Sequence, residues 1–149
     1  MQELYDVVRS TGARNLIIVN GLNWGYDLSG LPAHALDGYN IVYGTHLYPF
    51  EGKRPEDWQR SFTFLADRYP LFIGEFGTFD CSTGYLNDVL ALADDHDISW
   101  TAWAWFTEDV PREQLCRFPA LIADWNGTPL ETGAVVRAAL QSYGTTGFR

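Results

Sequence analysis

The sequence predicts an α/β fold built on a parallel sheet, because short apolar runs alternate along the chain with helical patterns. Four runs rich in β-branched and aromatic residues recur about every 30 residues, at 15–21, 41–45, 71–75 and 99–105. Near-continuous apolar runs of this length are typical of strands that are buried on both faces. Strands and helices that alternate at this period predict βαβ units with right-handed crossovers.

Helical patterns precede the first run and fill the gaps between the later ones. Residues 3–10 have apolar positions at helical spacing, and Gly12 is placed to end that helix. Pro55 suits the first turn of a helix that is predicted to run through Leu65. Further helices are predicted at residues 31–36, 85–93 and 133–143.

Composition excludes several classes of protein. The chain has 149 residues, so we expect residues 1–149 to form one domain with a sizeable core. Nineteen acidic against ten basic side chains give a net charge of -9, which argues against a nucleic-acid partner because phosphates are bound by Lys and Arg. No apolar run approaches the roughly 18 residues of a spanning helix, and the first residues lack the features of a signal peptide, so no membrane association is expected. Two cysteines without CxxC spacing and three scattered histidines predict neither a metal site nor a cofactor.

Polar and aromatic side chains follow every predicted strand at its carboxyl end. In parallel sheets and barrels, ligands bind beyond the carboxyl ends of the strands, where the loops are free to vary. The residues in question are Asn23, Trp24, His46, Tyr48, Glu75 and Trp105. The sequence therefore predicts a ligand site at this end of the sheet.

Glu75, at the end of the third strand, is the first candidate for a catalytic group. Its neighbours Ile73 and Phe76 should remove water from the carboxylate, and desolvation without a purpose costs several kcal/mol or forces protonation. A strand-end Glu can also cap a helix or turn, and the residue alone leaves both interpretations open.

His46 and Tyr48 lie two residues apart and should point to the same face of the strand. Side by side, an imidazole and a phenol can orient a carboxylate and a sugar hydroxyl, since each offers a directional donor. The alternative is a satisfied core histidine beside an ordinary aromatic side chain.

Tryptophans near the strand ends are candidates for stacking on a sugar ring, although Trp also fills cores. Trp100 and Trp103 are expected to pack, while Trp105, last in its strand, and Trp24 are expected to contact a ligand. Strand alternation places Trp103 and Trp105 on one face, so burial alone can explain one of the two, and Trp103 is kept among the candidate substrate contacts.

Cys81 and Cys116 lie in loops that leave the same edge of the sheet from adjacent units. A disulfide between them is geometrically possible, and two free buried thiols are equally compatible with the sequence.

Taken together, the strand-end motifs resemble the second half of glycoside hydrolase family 5, whose retaining cellulases and mannanases have a (β/α)8 barrel. The matching pieces are Asn23-Trp24, His46-Leu47-Tyr48, Gly74-Glu75-Phe76-Gly77 and Trp103-Ala104-Trp105-Phe106. The resemblance implies a half barrel of four parallel βα units, corresponding to strands five to eight and a preceding helix.

The resemblance also implies roles and a substrate. It matches Glu75 to the catalytic nucleophile, His46 and Tyr48 to the pair around it, and Trp105 to the sugar platform, with Asn23, Trp24 and Trp103 as further substrate contacts. The resemblance implies a β-linked polysaccharide as substrate and a secreted parent enzyme, and the sequence leaves the localisation of this chain open. The family's acid/base Glu belongs to an Asn-Glu-Pro motif, which this sequence does not contain.

A half barrel has two open edges with unpaired backbone groups, so such a chain is not expected to be a stable monomer. We expect a two-fold dimer in which the last strand of each copy pairs with the first strand of the other. Glu108 could then approach the place of the missing acid. Two hypotheses follow: a retaining glycosidase, or a non-catalytic fragment that assembles and binds glycans weakly or not at all. A serine hydrolase is disfavoured because the sequence has no Gly-x-Ser-x-Gly motif.

Overall fold

A computed structural model describes residues 1–146 and contains a four-stranded sheet whose strands lie in sequence order. The strands are β1 (Ile17–Asn20), β2 (Ile41–Leu47), β3 (Leu71–Phe76) and β4 (Ser99–Trp100). All three neighbouring pairs are parallel. The predicted fold class, four parallel βα units of half a (β/α)8 barrel, is confirmed.

Helices connect and flank these strands. They are α1 (Gln2–Ser10), α2 (Leu22–Gly25), α3 (Leu31–His34), α4 (Pro55–Ser61), a 3-10 turn (Thr63–Leu65), α5 (Gly84–Asp95), α6 (Arg112–Leu115) and α7 (Glu131–Thr146). Three predicted helices, at residues 3–10, 85–93 and 133–143, are confirmed as the inner parts of α1, α5 and α7.

Two predicted helices are shorter in the structure. The helix expected from Pro55 to Leu65 breaks at Phe62, whose φ of -158° and ψ of -32° leave the helical region. Phe62 is fully buried against the rings of Tyr26 and Trp58, so burial of the aromatic side chain outweighs continuation of the helix. The helix expected at 31–36 ends at His34, because Ala35 is extended (ψ 140°).

The main core lies between the helices and one face of the sheet. Buried side chains on this face include Tyr43, Leu47, Ile73 and Phe76, which share one cluster with residues of α4, the 3-10 turn and α5. Burying each such side chain stabilises the fold by roughly 1.5–3 kcal/mol. The opposite face is open, and Ile18 on β1 remains 48% exposed there.

The fourth strand is much shorter than the predicted 99–105. Thr101 and Trp103 still donate backbone hydrogen bonds to the carbonyls of Ile73 and Phe76 in β3. The next backbone amide, that of Ala104, turns instead to the carbonyl of Pro119. The chain leaves the sheet because the segment after α6 provides its hydrogen-bond partners.

Cys81 and Cys116 form a disulfide, which decides between the two states that the sequence left open. The bond joins the loop after β3 to the end of α6. It lies against a second, smaller core of Leu115, Ala120 and Leu130. Among the helices of residues 1–146, none is long and apolar enough to cross a membrane.

Candidate functional site

A β-bulge at Gly74 places Glu75 on the open face of the sheet. Thr45 pairs with Ile73, and the next pair is His46 with Glu75, so Gly74 is an extra residue in β3. Ile73 and Phe76 both face the core, whereas strict alternation would have sent Glu75 there with Ile73. The bulge therefore re-aims the carboxylate toward the open face beside His46.

Glu75 contacts both partners that the sequence indicated. The Tyr48 hydroxyl donates a hydrogen bond of 2.8 Å to Oε2 of Glu75, and His46 Nδ1 lies 3.6 Å from the same oxygen. Burial raises the pKa of the Tyr48 phenol, and the adjacent carboxylate raises it further, so Tyr48 stays a donor at neutral pH. Within residues 1–146, Oε1 of Glu75 accepts no hydrogen bond.

The imidazole of His46 is held between two glycines. A Cβ on Gly25 would lie 2.8 Å from His46 Nδ1, and one on Gly74 would lie 3.0 Å from Nε2. Any larger residue at either position would have to move the ring. Close backbone contact on both sides therefore fixes where the imidazole stands relative to Glu75.

Asn23 and Trp24 lie in α2, a turn whose backbone is left-handed at three successive residues. The φ values are 53° at Asn23, 62° at Trp24 and 82° at Gly25. The Trp24 side chain projects from this turn and is 91% exposed, and Asn23 is also exposed. The turn thus carries a free aromatic face at the carboxyl end of β1.

The three tryptophans of the fourth unit differ in burial. Trp100 packs on Phe76 at a ring distance of 5.4 Å, as expected. Trp103, for which packing was also expected, stays 42% exposed. Trp105 is 66% exposed, and its ring lies over Gly127. Because β4 ends at Trp100, the strand alternation that predicted a shared face for Trp103 and Trp105 does not apply to them.

The sequence did not indicate a group of aromatic residues that lies beside Glu75. The rings of Phe50 and Phe79 lie 5.4 Å apart, and each is within about 6 Å of the Tyr48 ring. Both Phe side chains are exposed. The signal that could have found them is an exposed Phe in each loop that follows a site-bearing strand.

Two cavities lie away from Glu75. The larger, about 690 Å³, is at the amino ends of the strands, between Leu16, Pro70 and Ser99, and is remote from the carboxylate. The other, about 400 Å³, is an apolar groove beyond β4 that Trp105 helps to line. In the described part of the chain, no three His, Cys, Asp or Glu side chains are grouped to hold a metal ion.

Glu108 is exposed, and no hydrogen bond or ion pair joins it to Glu75 within the described residues. What the structure brings together is therefore one carboxylate, a phenol and an imidazole. Such a group can act as an oriented nucleophile or base, and the nearby exposed aromatic rings offer faces for a sugar.

Residues 1–109 match the family model described as "Cellulase (glycosyl hydrolase family 5)". Endoglucanase CelA of Streptomyces lividans is 23% identical over 155 residues, which cover 95% of this chain and 33% of that protein. The chain therefore spans about a third of this curated relative.

Solved structures are similar over nearly the whole chain. A β-glucanase from Saccharophagus degradans, SdGluc5_26A, in complex with cellotetraose, has a TM-score of 0.75 and 25% identity, covering 95% of this chain and 46% of that one. The catalytic domain of Thermobifida fusca endoglucanase Cel5A has a TM-score of 0.72 and 22% identity, covering 94% and 50%. The chain thus corresponds to about half of each enzyme structure. Since the family match covers well over half of its residues, the chain belongs to glycosyl hydrolase family 5.

Proposed function

We propose that Glu75 is the nucleophile of a retaining glycosidase that acts on a β-linked polysaccharide of the cellulase or mannanase type. The observation that carries this proposal is the Glu75 carboxylate itself, held by Tyr48 at the carboxyl end of β3 with Oε1 open. The names of the relatives, an endoglucanase and a β-glucanase bound to cellotetraose, support the substrate class.

The retaining mechanism assigns a different step to each of two carboxyl groups, about 5 to 5.5 Å apart. Glu75 would attack the anomeric carbon, forming a glycosyl ester while the bond from that carbon to the leaving oxygen breaks. The Tyr48 hydroxyl would hold the carboxylate in line for this attack, and His46 would face it from the side. The exposed ring of Trp105 would stack on the sugar at the cleavage point, and the exposed rings of Trp24 and Trp103 would contact further sugar residues.

The second carboxyl would donate a proton to the leaving oxygen and later activate water. Because the sequence has no Asn-Glu-Pro, we propose that the 149-residue chain performs the first step only with leaving groups that need no proton. Its glycosyl ester should then be slow to hydrolyse, so that the ester accumulates on Glu75.

A dinitrophenyl β-cellobioside tests this step, since dinitrophenolate departs without a proton. We expect release of one equivalent of dinitrophenolate and an intact mass raised by one cellobiosyl group, located on the peptide that holds Glu75. The matched variant Glu75→Gln should give neither signal, and Glu108→Gln should behave like the unaltered chain. Equal phenolate release from the unaltered chain and Glu75→Gln would contradict the proposal.

A second candidate function is that of a non-catalytic fragment that closes a barrel by dimerising, with weak or no glycan binding. It is favoured by the apolar surface at both edges of the sheet. On one side the open face of β1 exposes Ile18, and on the other the groove beyond β4 is lined by Trp105, Val136 and Leu140. In a two-fold dimer these edges would meet, and Glu108 of each copy would approach the site of the other.

Sedimentation velocity over a range of concentrations tests this candidate. We expect a dimer, weakened by Leu140→Lys in the groove and unchanged by Phe64→Lys, which alters an exposed aromatic residue of the central unit. A monomer at all concentrations with a cooperative thermal transition would rule out closure by dimerisation.

A further inference from the structure

Lys53 is the only lysine of the sequence, against nine arginines, and it is buried. It lies in the loop between β2 and α4 and is 8% exposed. Removing an ammonium group from water is costly unless the charge is well partnered. Among the described residues, every arginine except Arg9 is exposed, whereas the one lysine lies where a charge is costly to bury.

The backbone carbonyl and the side-chain ammonium of Lys53 form hydrogen bonds with different parts of the fold. Its backbone carbonyl accepts hydrogen bonds from the Trp58 indole, at 3.2 Å, and the Tyr85 hydroxyl, at 3.0 Å. Its Nζ donates a 2.8 Å hydrogen bond to the backbone carbonyl of Asn23, in α2. On the way it lies 5.1 Å from the centre of the Tyr26 ring, which offers a cation–π contact.

The acceptor of this hydrogen bond is the first residue of the left-handed turn. Three successive residues with positive φ are unfavourable, above all at Trp24, so the turn must be held by its surroundings. Leu22 and Asp27 close the base of the turn with two backbone hydrogen bonds of 2.9 Å. Lys53 adds the hydrogen bond from the neighbouring loop.

Beyond Asn23, the turn leads directly to the site. Gly25 covers the His46 ring so closely that a Cβ there would lie 2.8 Å from Nδ1. The same Nδ1 faces Oε2 of Glu75 at 3.6 Å. A continuous series of contacts therefore runs from Lys53 through the turn to His46 and Glu75.

We propose that Lys53 is a positioning residue: by holding the carbonyl of Asn23, it keeps α2 closed over His46 and thereby fixes the imidazole against Glu75. The same hydrogen bond sets the place of Trp24. This role concerns the geometry of the folded chain, and it can hold or fail whether or not Glu75 proves to be a nucleophile.

Proton NMR of the histidine rings tests the role without any substrate. The chain has three histidines, so the Hε1 signal of His46 can be assigned with single His→Gln variants, and His34 and His96 serve as internal references. We expect Lys53→Met to shift the His46 signal and leave the other two in place. Lys53→Arg, which retains a cation and a donor, should restore the signal at least partly. Gly25→Ala places a methyl group against the ring, so its His46 signal shows the chemical shift that a displaced imidazole has.

Tyr85→Phe is the matched control. It removes a hydrogen bond from the carbonyl of the same lysine but leaves Nζ and Asn23 joined, so the His46 signal should not move. In Lys53→Met, amide exchange at residues 22–27 should also become about tenfold faster, because the loss of one charge-assisted hydrogen bond changes the opening equilibrium by about that factor. An unmoved His46 signal in folded Lys53→Met, or equal shifts in Lys53→Met and Tyr85→Phe, would overturn the proposal.

A measurement on the unaltered chain covers the case in which Lys53→Met does not fold. With lysine labelled by nitrogen-15 at Nζ only, the ammonium of Lys53 gives a single signal, since the sequence has one lysine. We expect its protons to exchange slowly with water and to show cross-relaxation with the backbone of α2. Rapid exchange like that of a free amine, without contacts to α2, would refute the role.

Discussion

The central strands and the β4 edge have similar apolar sequences but are held in different ways. β2 and β3 are paired along most of their lengths and have a neighbour on each side. β4 pairs only with β3, over Ser99 and Trp100. Pairing on both sides fixes the register of a strand, whereas a strand with one neighbour can leave the sheet wherever another segment offers hydrogen bonds.

The difference decides where site residues end up. Between the central strands, the fixed register and the bulge at Gly74 bring His46 and Glu75 side by side. At the edge, the backbone turns to Pro119 at Ala104, and the ring of Trp105 comes to rest on Gly127. The candidate site is therefore built where the sheet is most constrained, and the least constrained strand supplies exposed aromatic side chains.

Truncating one aromatic side chain in each region should show the largest contrast. Phe76→Ala removes a ring that is fully buried behind β3, and we expect it to lower the free energy of unfolding by about 3–5 kcal/mol. Trp105→Ala removes a ring that is mostly exposed, and we expect a loss below about 1 kcal/mol. Urea denaturation measures both. Equal losses would mean that the edge is as tightly packed as the centre.

Breaking the disulfide should loosen one region and spare the other. Cys81 and Cys116 are 35 residues apart, and we expect the double Ser variant to lose about 2–4 kcal/mol of stability. Because the bond ties the loop after β3 to α6, amide exchange should quicken in residues 104–130. The amides of β2 and β3 should keep their protection. Uniformly faster exchange would show that the two regions unfold together.

Much of the central region could be predicted from sequence. Strands β1 to β3 follow from their apolar runs, whose alternate residues face the core. The expected burial on both faces was wrong, since the other face is open and Ile18 is exposed there. The meeting of His46, Tyr48 and Glu75 follows from the rule that parallel strands present their carboxyl ends at one edge. The bulge did have a signal, since glycine inside a strand pattern is typical of a bulge.

The remaining features depend on long-range contacts that leave little trace in local sequence. The end of β4 is set by hydrogen bonds to residues 119–121, which are distant in the chain. Asn and Gly tolerate left-handed backbone, but nothing local indicates it for Trp24. The burial of Lys53 depends on the turn that precedes β2, so its role could be recognised only in the folded chain.

The smallest effect concerns two tyrosines, one in each region. Burial raises the pKa of Tyr48, with Glu75 adding to the effect, and burial also raises that of Tyr143, which donates to Asp94 near the edge. A group whose pKa is higher in the folded state stabilises the fold below its unfolded pKa, near 10 for tyrosine, and loses that contribution as the pH rises toward the folded value. Stability should therefore decline above about pH 10, and Tyr48→Phe should make the decline shallower by up to about 1.4 kcal/mol per pH unit. We expect a weaker change for Tyr143→Phe, since that residue is less buried. Urea denaturation at several alkaline pH values measures how steeply stability falls with pH. A larger effect on this slope for Tyr143→Phe than for Tyr48→Phe would contradict the expectation that the central strands are more constrained than the edge.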